Sequence, residues 1–408
     1  MSKNIVFCAD GTWNGPGRSL DGATVPSLPT NVLKLYQWLA GLDTVESAHY
    51  AGEAERFDIA PGGELRQVSK YMDGVGDSEN WLNKLLGGVF GAGMVSRIVR
   101  GYTFISRNYV VGDRIFVLGF SRGAYTARAL AAMILDQGLL DPKKIDIDGG
   151  MRDVNQAVTE SAKEEAYRLG CAVWYKYIKG LSQKNGTTFI QKLEETIAVL
   201  PGFFREAPDA SKMIDDVDIQ AVAAWDTVGA LGIPQYDSED RRIDVFRFAD
   251  CCLSERVEYG FHALSLDEQR TDLTPTLWEA RNNVTQLLFP GAHADIGGGY
   301  PLGIESGLSD DALLVMQSGL SKLPDGKGIL FGSPPDQVSP NPLGCGHQPW
   351  NHWPYRELPR SHIKSRVFPD FHGIYIDHSV SERRAGGMVK SDPSEVAEEY
   401  HPKNIPAR

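Results

Sequence analysis

The sequence predicts an α/β protein, with a mainly parallel central sheet covered by helices on both sides. Runs of β-branched and aromatic residues recur at 5–9, 114–120, 219–225 and 285–289 without polar alternation. Runs apolar on both faces belong to strands buried on both faces. Segments with apolar residues three and four apart lie between them, and such alternation marks parallel strands joined by crossover helices. With 408 residues, 42 % of them hydrophobic, the chain can bury a large core without cross-links. Residues 1–408 are therefore read as one domain.

The elements follow in order. Residues 5–9 form a buried strand that empties into the loop Asp10-Gly11-Thr12-Trp13-Asn14-Gly15. Residues 30–39 carry helical spacing behind a Thr30 or Asn31 cap. A short strand is expected at 48–52, and residues 53–93, rich in Gly and charge, read as a long loop with short elements. Val95 to Tyr109 is an amphipathic helix with Ile98, Tyr102 and Ile105 on one face. Residues 114–120 give the best buried-strand signal, and an Ala- and Leu-rich helix follows from Arg122 to Leu135. Residues 150–215 show charged helical faces and no strand pattern, so they are taken as a helical insertion, a candidate lid. Strands return at 219–225 and 285–289, and Ser309 caps a helix reaching Leu320. Residues 324–408 are a loop-rich C-terminal extension that includes the aromatic stretch Trp350-Asn351-His352-Trp353-Pro354-Tyr355.

Composition excludes several trades. A net charge of −12, from 41 Lys and Arg against 53 Asp and Glu, opposes nucleic-acid backbone binding. Five cysteines with no CxxC pair give neither a zinc site nor a disulfide framework, and no metal or cofactor is expected. No uncharged run approaches the roughly 18 apolar residues of a spanning helix. The apolar start at Ile5 to Cys8 is too short for a secretory core of about 7–15 residues, so synthesis is cytoplasmic and any export is signal-free.

Gly119-Phe120-Ser121-Arg122-Gly123 fits G-x-S-x-G between a buried strand and a helix, the setting of a nucleophile elbow. Gly119 and Gly123 leave room for the tight turn, and Ser121 sits where helix amides favour developing negative charge. Such a serine needs an acid and then a histidine downstream. Asp226 lies at the carboxyl end of the 219–225 strand, where active-site residues of open sheets gather, and His293 lies in the glycine-rich loop after the 285–289 strand. Asp295 is an alternative partner for His293 or an anchor for its loop. Competing histidines are His262, read as structural and followed by a candidate helix, and His378, far past the last clear strand. Oxyanion donors are the amide of Arg122 and one from Gly11 or Thr12, with Asp10 supporting that loop. Asp10 as a metal-assisted phosphatase nucleophile is disfavoured, because Thr12 stands where a second Asp is needed. The glycine run 87–93 lacks the strand and spacing of a dinucleotide loop.

Four blocks together resemble one family: Ala9-Asp10-Gly11-Thr12-Trp13-Asn14, Gly119 to Ala124, Ala224-Trp225-Asp226-Thr227-Val228-Gly229 and Pro290 to Tyr300. It is the α/β-hydrolase-like family that includes the phospholipase effectors of bacterial type VI secretion. The stretch from Tyr375 to Pro406 also looks like that family's tail. The resemblance implies an α/β-hydrolase-like fold with a triad on Ser121, Asp226 and His293. It also implies a lipid or phospholipid acyl-ester substrate, peripheral membrane contact and export by a type VI system. The family's Gly-Val-Gly-Thr stands here as Gly74-Val75-Gly76-Asp77, leaving the role of Asp77 open. The expected activity is serine-dependent ester hydrolysis through an acyl-enzyme. The alternatives are a cytosolic small-molecule esterase, thioesterase or amidase, and an inert hydrolase-like binding scaffold.

Overall fold

The computed structural model describes residues 2–11, 18–20, 23–25, 28–44, 52–74, 89–147, 158–185, 206–228, 235–236, 242–243, 253–336, 338–353, 355–357, 362–368 and 373–405. Its centre is a nine-stranded sheet. The strands are β1 (Asn4–Ala9), β2 (Leu42–Asp43), β3 (Glu53–Ile59), β4 (Leu65–Met72), β5 (Arg114–Phe120), β6 (Ile219–Trp225), β7 (Val257–Ser265), β8 (Val284–Phe289) and β9 (Ile374–Ile376). Their order across the sheet is β9-β8-β7-β6-β5-β1-β4-β3-β2. All pairings from β9 through β4 are parallel, and only the pairings of β3 with β4 and with β2, at the edge, are antiparallel.

The double-sided burial read from the sequence is realised residue by residue. In β1, Ile5, Phe7 and Ala9 join one core layer, while Val6 and Cys8 join the other. The first layer is completed by α2 (Val89–Asn108), α3 (Arg122–Gln137) and α4 (Glu160–Asn185). Ile98, Tyr102 and Ile105 of α2 are fully buried there, on the face their spacing predicts. The second layer is completed by α1 (Asn31–Trp38) and α6 (Gly307–Ser321), through Val32, Leu35, Ala312, Leu313 and Met316. Thr30 caps α1, its side chain accepting from the Leu33 amide. The cap of α6 is Ser306, a turn earlier than the expected Ser309.

Three regions depart from the sequence expectation. Residues 53–72 are not loop but the hairpin β3–β4, which extends the sheet beyond β1. Its charges hid it. Glu53 and Glu55 of β3 take up Lys70 of β4 at 3.0 and 2.9 Å, so residues that look solvated are paired across strands. His262 precedes no helix; it lies inside β7, a strand the periodicity missed. The C-terminal part contributes β9, a short parallel strand beside β8, followed by α7 (His378–Ala385). The expected strand at 48–52 lies almost wholly outside the described residues, as do Thr12, Asp77, residues 148–157 and residues 186–205.

Candidate active site

The site forms where β5, β6 and β8 end, at the carboxyl edge of the sheet. β5 runs to Phe120, and Ser121 then turns with φ 56° and ψ −122° into the first residue of α3. That positive φ is strained for a residue with a Cβ. Two glycines make the turn feasible. A Cβ on Gly123 would lie 2.2 Å from the carbonyl oxygen of Ala9, and one on Gly119 would lie 2.4 Å from the Gly123 backbone. The strand thus presents Ser121 above the start of a 16-residue helix. The Ser121 amide donates to the Trp225 carbonyl at 2.9 Å, tying the elbow to the end of β6.

Asp226 follows directly after β6 and also has positive φ, 42°. It is fully buried. Its Oδ1 accepts from the Ser265 amide at 3.0 Å and from Nη1 of Arg366 at 2.6 Å, while Oδ2 accepts from Nη2 of Arg366 at 2.8 Å. Burial alone would push this carboxyl up, but Arg366 and His293 outweigh it and hold Asp226 well below the usual carboxylate range.

His293 lies 2.5 Å from Asp226, Nδ1 to Oδ2, and 2.8 Å from Ser121, Nε2 to Oγ. Hydroxyl, imidazole and carboxylate therefore form one continuous line through residues 172 and 67 positions apart in the chain. Burial lowers the His293 pKa from its ordinary value, opposed by Asp226. The expected glycine-rich loop is here a one-and-a-half-turn helix, α5 (His293–Gly297). Phe120, the variable residue of the elbow, fills the space beneath. Its ring centroid is 4.7 Å from that of His293, and a Cβ on Gly297 would lie 2.0 Å from its edge. The glycine run after His293 thus admits the aromatic floor of the site.

Asp295 is the loop anchor rather than the partner of His293. Its Oδ2 accepts the amides of Ala292 at 2.8 Å and His347 at 3.0 Å, and its Oδ1 pairs with Nδ1 of His347 at 2.7 Å. Asp10 also organises backbone. It accepts from Tyr71 Oη at 2.6 Å, Thr30 Oγ1 at 2.7 Å and the Gly11 amide at 2.6 Å. Burial pushes Asp10 up to about 6 in spite of these donors. Gly11 lies against the elbow serine, since a Cβ there would be 3.4 Å from that of Ser121. Its amide, one of the expected oxyanion donors, is engaged by Asp10, and Thr12 lies outside the described residues. His262 is buried and accepts the Thr227 amide at 3.1 Å, so it braces the residue after Asp226. Burial and Arg128 push its pKa down to about 3, which keeps it neutral. His378 is mostly exposed at the start of α7.

Two residues of this shell escaped the sequence reading. Glu268, fully buried, accepts the His293 amide at 3.1 Å and is paired with Arg270 at 2.8 Å. Burial would raise Glu268, but Arg270 prevails and lowers it to about 2. Glu268 stood in a segment read as a candidate helix, and nothing local marked Arg366. Among the described residues no group of three His, Cys, Asp or Glu side chains is placed to hold a metal. None of the described helices is long and apolar enough to cross a membrane.

Comparison with known proteins agrees with the motif blocks. A family profile for the catalytic domain of type VI secretion Tle1-like phospholipase effectors matches residues 3–318. An uncharacterised protein of Saccharomyces cerevisiae, YEL023C, is 32 % identical over 273 residues; these are 66 % of this chain and 31 % of that protein. The chain thus spans about a third of the length of that relative. Among solved structures, the Tle1 effector bound to the VgrG spike of the type VI secretion system aligns over 74 % of this chain and 52 % of its own, with a TM-score of 0.37 and 15 % identity. The chain belongs to the Tle1-like phospholipase effector catalytic-domain family.

Proposed function

We propose that this Tle1-like catalytic domain is a serine esterase that cleaves lipid acyl esters, with Ser121, His293 and Asp226 as its triad. The observation that carries the reading is the unbroken line from Ser121 Oγ to His293 Nε2 at 2.8 Å and from His293 Nδ1 to Asp226 Oδ2 at 2.5 Å. In this mechanism Ser121 Oγ attacks the ester carbonyl carbon as its proton passes to His293 Nε2. Asp226 holds the imidazole with its Nδ1 proton facing the carboxylate. The Arg122 amide at the head of α3 stabilises the oxyanion. The second donor in this reading comes from the Gly11–Thr12 stretch, where Asp10 holds the Gly11 amide in the absence of substrate. Collapse expels the alcohol with the proton from His293, leaving the acyl group on Ser121, and water activated by His293 then releases the acid.

Family membership favours a lipid ester, and a surface feature fits it. Tyr300, His347, Pro349, Trp353 and Tyr355 border a cavity of about 320 Å³. Its wall reaches the triad through Arg270, which stacks on Tyr355 at 4.9 Å and pairs with the glutamate that accepts the His293 amide. Trp353 is 79 % exposed there and is the membrane-contacting side chain of this reading. In this reading the chain reaches its lipid as a type VI secretion effector. Residues 1–408 then form one catalytic domain, with α4 of the 150–215 segment packed into its first core layer.

A fluorophosphonate probe and Ser121→Ala test the mechanism together. The probe is expected to label Ser121. The variant is expected to lose about 10⁴-fold or more in kcat on a p-nitrophenyl acyl ester, with its thermal unfolding unchanged. An unlabelled serine or a fully active variant overturns the triad. Preference for short soluble esters over long-chain phospholipid vesicles overturns the lipid assignment and leaves a small-molecule esterase.

A further inference from the structure

We infer that Arg366 is the positioning residue of the triad, a guanidinium fork that sets the plane and the effective charge of Asp226. The inference rests on the triad reading above. Arg366 comes from the C-terminal part of the chain, beyond the residues matched by the family profile, and lies 140 positions from the acid it holds. Its two terminal nitrogens each meet a different carboxylate oxygen, Nη1 to Oδ1 at 2.6 Å and Nη2 to Oδ2 at 2.8 Å. Such two-point contact fixes a carboxylate plane that one donor would leave free to swing. The fork is itself pinned. Nη1 also donates to the Ser265 carbonyl at 2.9 Å and Nη2 to the Leu273 carbonyl at 2.5 Å. The backbone just before it is held by the Lys364 amide on the Gln269 carbonyl at 2.7 Å and by a bridge between Arg270 and Ile363. Arg366 is 7 % exposed and its pair with Asp226 is out of water.

Two consequences follow for the reaction. With Oδ1 and Oδ2 both held, Oδ2 is aimed at His293 Nδ1, so the imidazole is oriented toward Ser121 before substrate arrives. The positive charge also offsets the aspartate, which lessens how far Asp226 can stabilise an imidazolium. Among the described residues the other charges acting on His293 are Glu268 and Arg270, paired with one another, so Arg366 is the cation that answers Asp226 itself.

Two variants of the full chain separate geometry from charge. Arg366→Lys keeps a cation but loses the fork. It is expected to lower kcat roughly 10- to 100-fold with KM little changed and the acidic limb of the kcat/KM pH profile in place. Arg366→Met removes the charge as well, so Asp226 acts on His293 unopposed. The same loss in kcat is then accompanied by a shift of that limb to higher pH, by about 1 unit. If the methionine variant fails to fold, Arg366→Lys alone decides, because a folded lysine variant with wild-type kcat overturns the inference. So does a loss that follows thermal stability alone, recovers on cooling and leaves the limb unmoved, since a mere brace would behave that way. Fluorophosphonate labelling of Ser121 in the wild type is read first. Absent labelling means the triad reading has failed, whereas labelling with inert Arg366 variants means only this inference has.

Discussion

Ser121 and Asp226 occupy equivalent places, one residue past the ends of the neighbouring parallel strands β5 and β6, and both have positive φ, 56° and 42°. Different physics holds them there. Ser121 is held by sterics and local chain: a turn between glycines whose backbones leave no room for a Cβ, a helix starting at once, and one amide bonded to the next strand. Asp226 is held by charge and hydrogen bonds from far away, by the Ser265 amide, the Arg366 fork and His293. A strained serine held by covalent neighbours, acting as the proposed nucleophile, should lose chemistry without losing the fold when its side chain is changed. An acid held by distant partners should not be separable in this way.

Asp226→Asn puts the contrast to its hardest test. Asparagine keeps the shape but leaves the Arg366 guanidinium buried without its counter-charge. We expect kcat to fall about 10⁴-fold together with a loss of about 3–5 kcal/mol of unfolding free energy, measured by urea titration. Loss of activity at unchanged stability would erase the distinction from Ser121. On the other side, Ser121→Gly removes the Cβ from an unfavourable backbone conformation. It is expected to be inactive yet more stable, by about 1–3 kcal/mol; equal or lower stability in the same titration would show the elbow is unstrained. The smallest effect is in the pH profile. In the proposed mechanism His293 must be neutral to accept the serine proton, and burial lowers its pKa against the pull of Asp226, with Arg270 adding to the lowering and Glu268 opposing it. The acidic limb of kcat/KM is therefore expected below about 6.5, the ordinary imidazole value. A limb above that value would mean Asp226 acts on His293 with more of its charge than this arrangement allows.

The same contrast explains what was legible. Ser121, Gly119 and Gly123 could be read because a steric requirement is written in adjacent residues. Asp226 and His293 could be read as strand-end residues in the order the chemistry needs, and the structure brings both to Ser121. Asp295 could not be assigned between partnering His293 and anchoring its loop, because the side chain it takes, His347, lies 52 residues away in the chain. The hairpin β3–β4 was missed because its charges are paired across strands, where periodicity sees only polar residues.

By itself the sequence determined the doubly covered parallel sheet, since residues buried on both faces must be apolar at every position, and it determined the elbow, since only glycine fits there. Tertiary structure alone decided which carboxylate faces which histidine, that Asp10 takes the Gly11 amide, and that Arg366 answers Asp226 across 140 residues. Sterics act through the nearest atoms and leave local marks. Buried charges select partners by distance in space, and that distance exists only once the sheet has assembled.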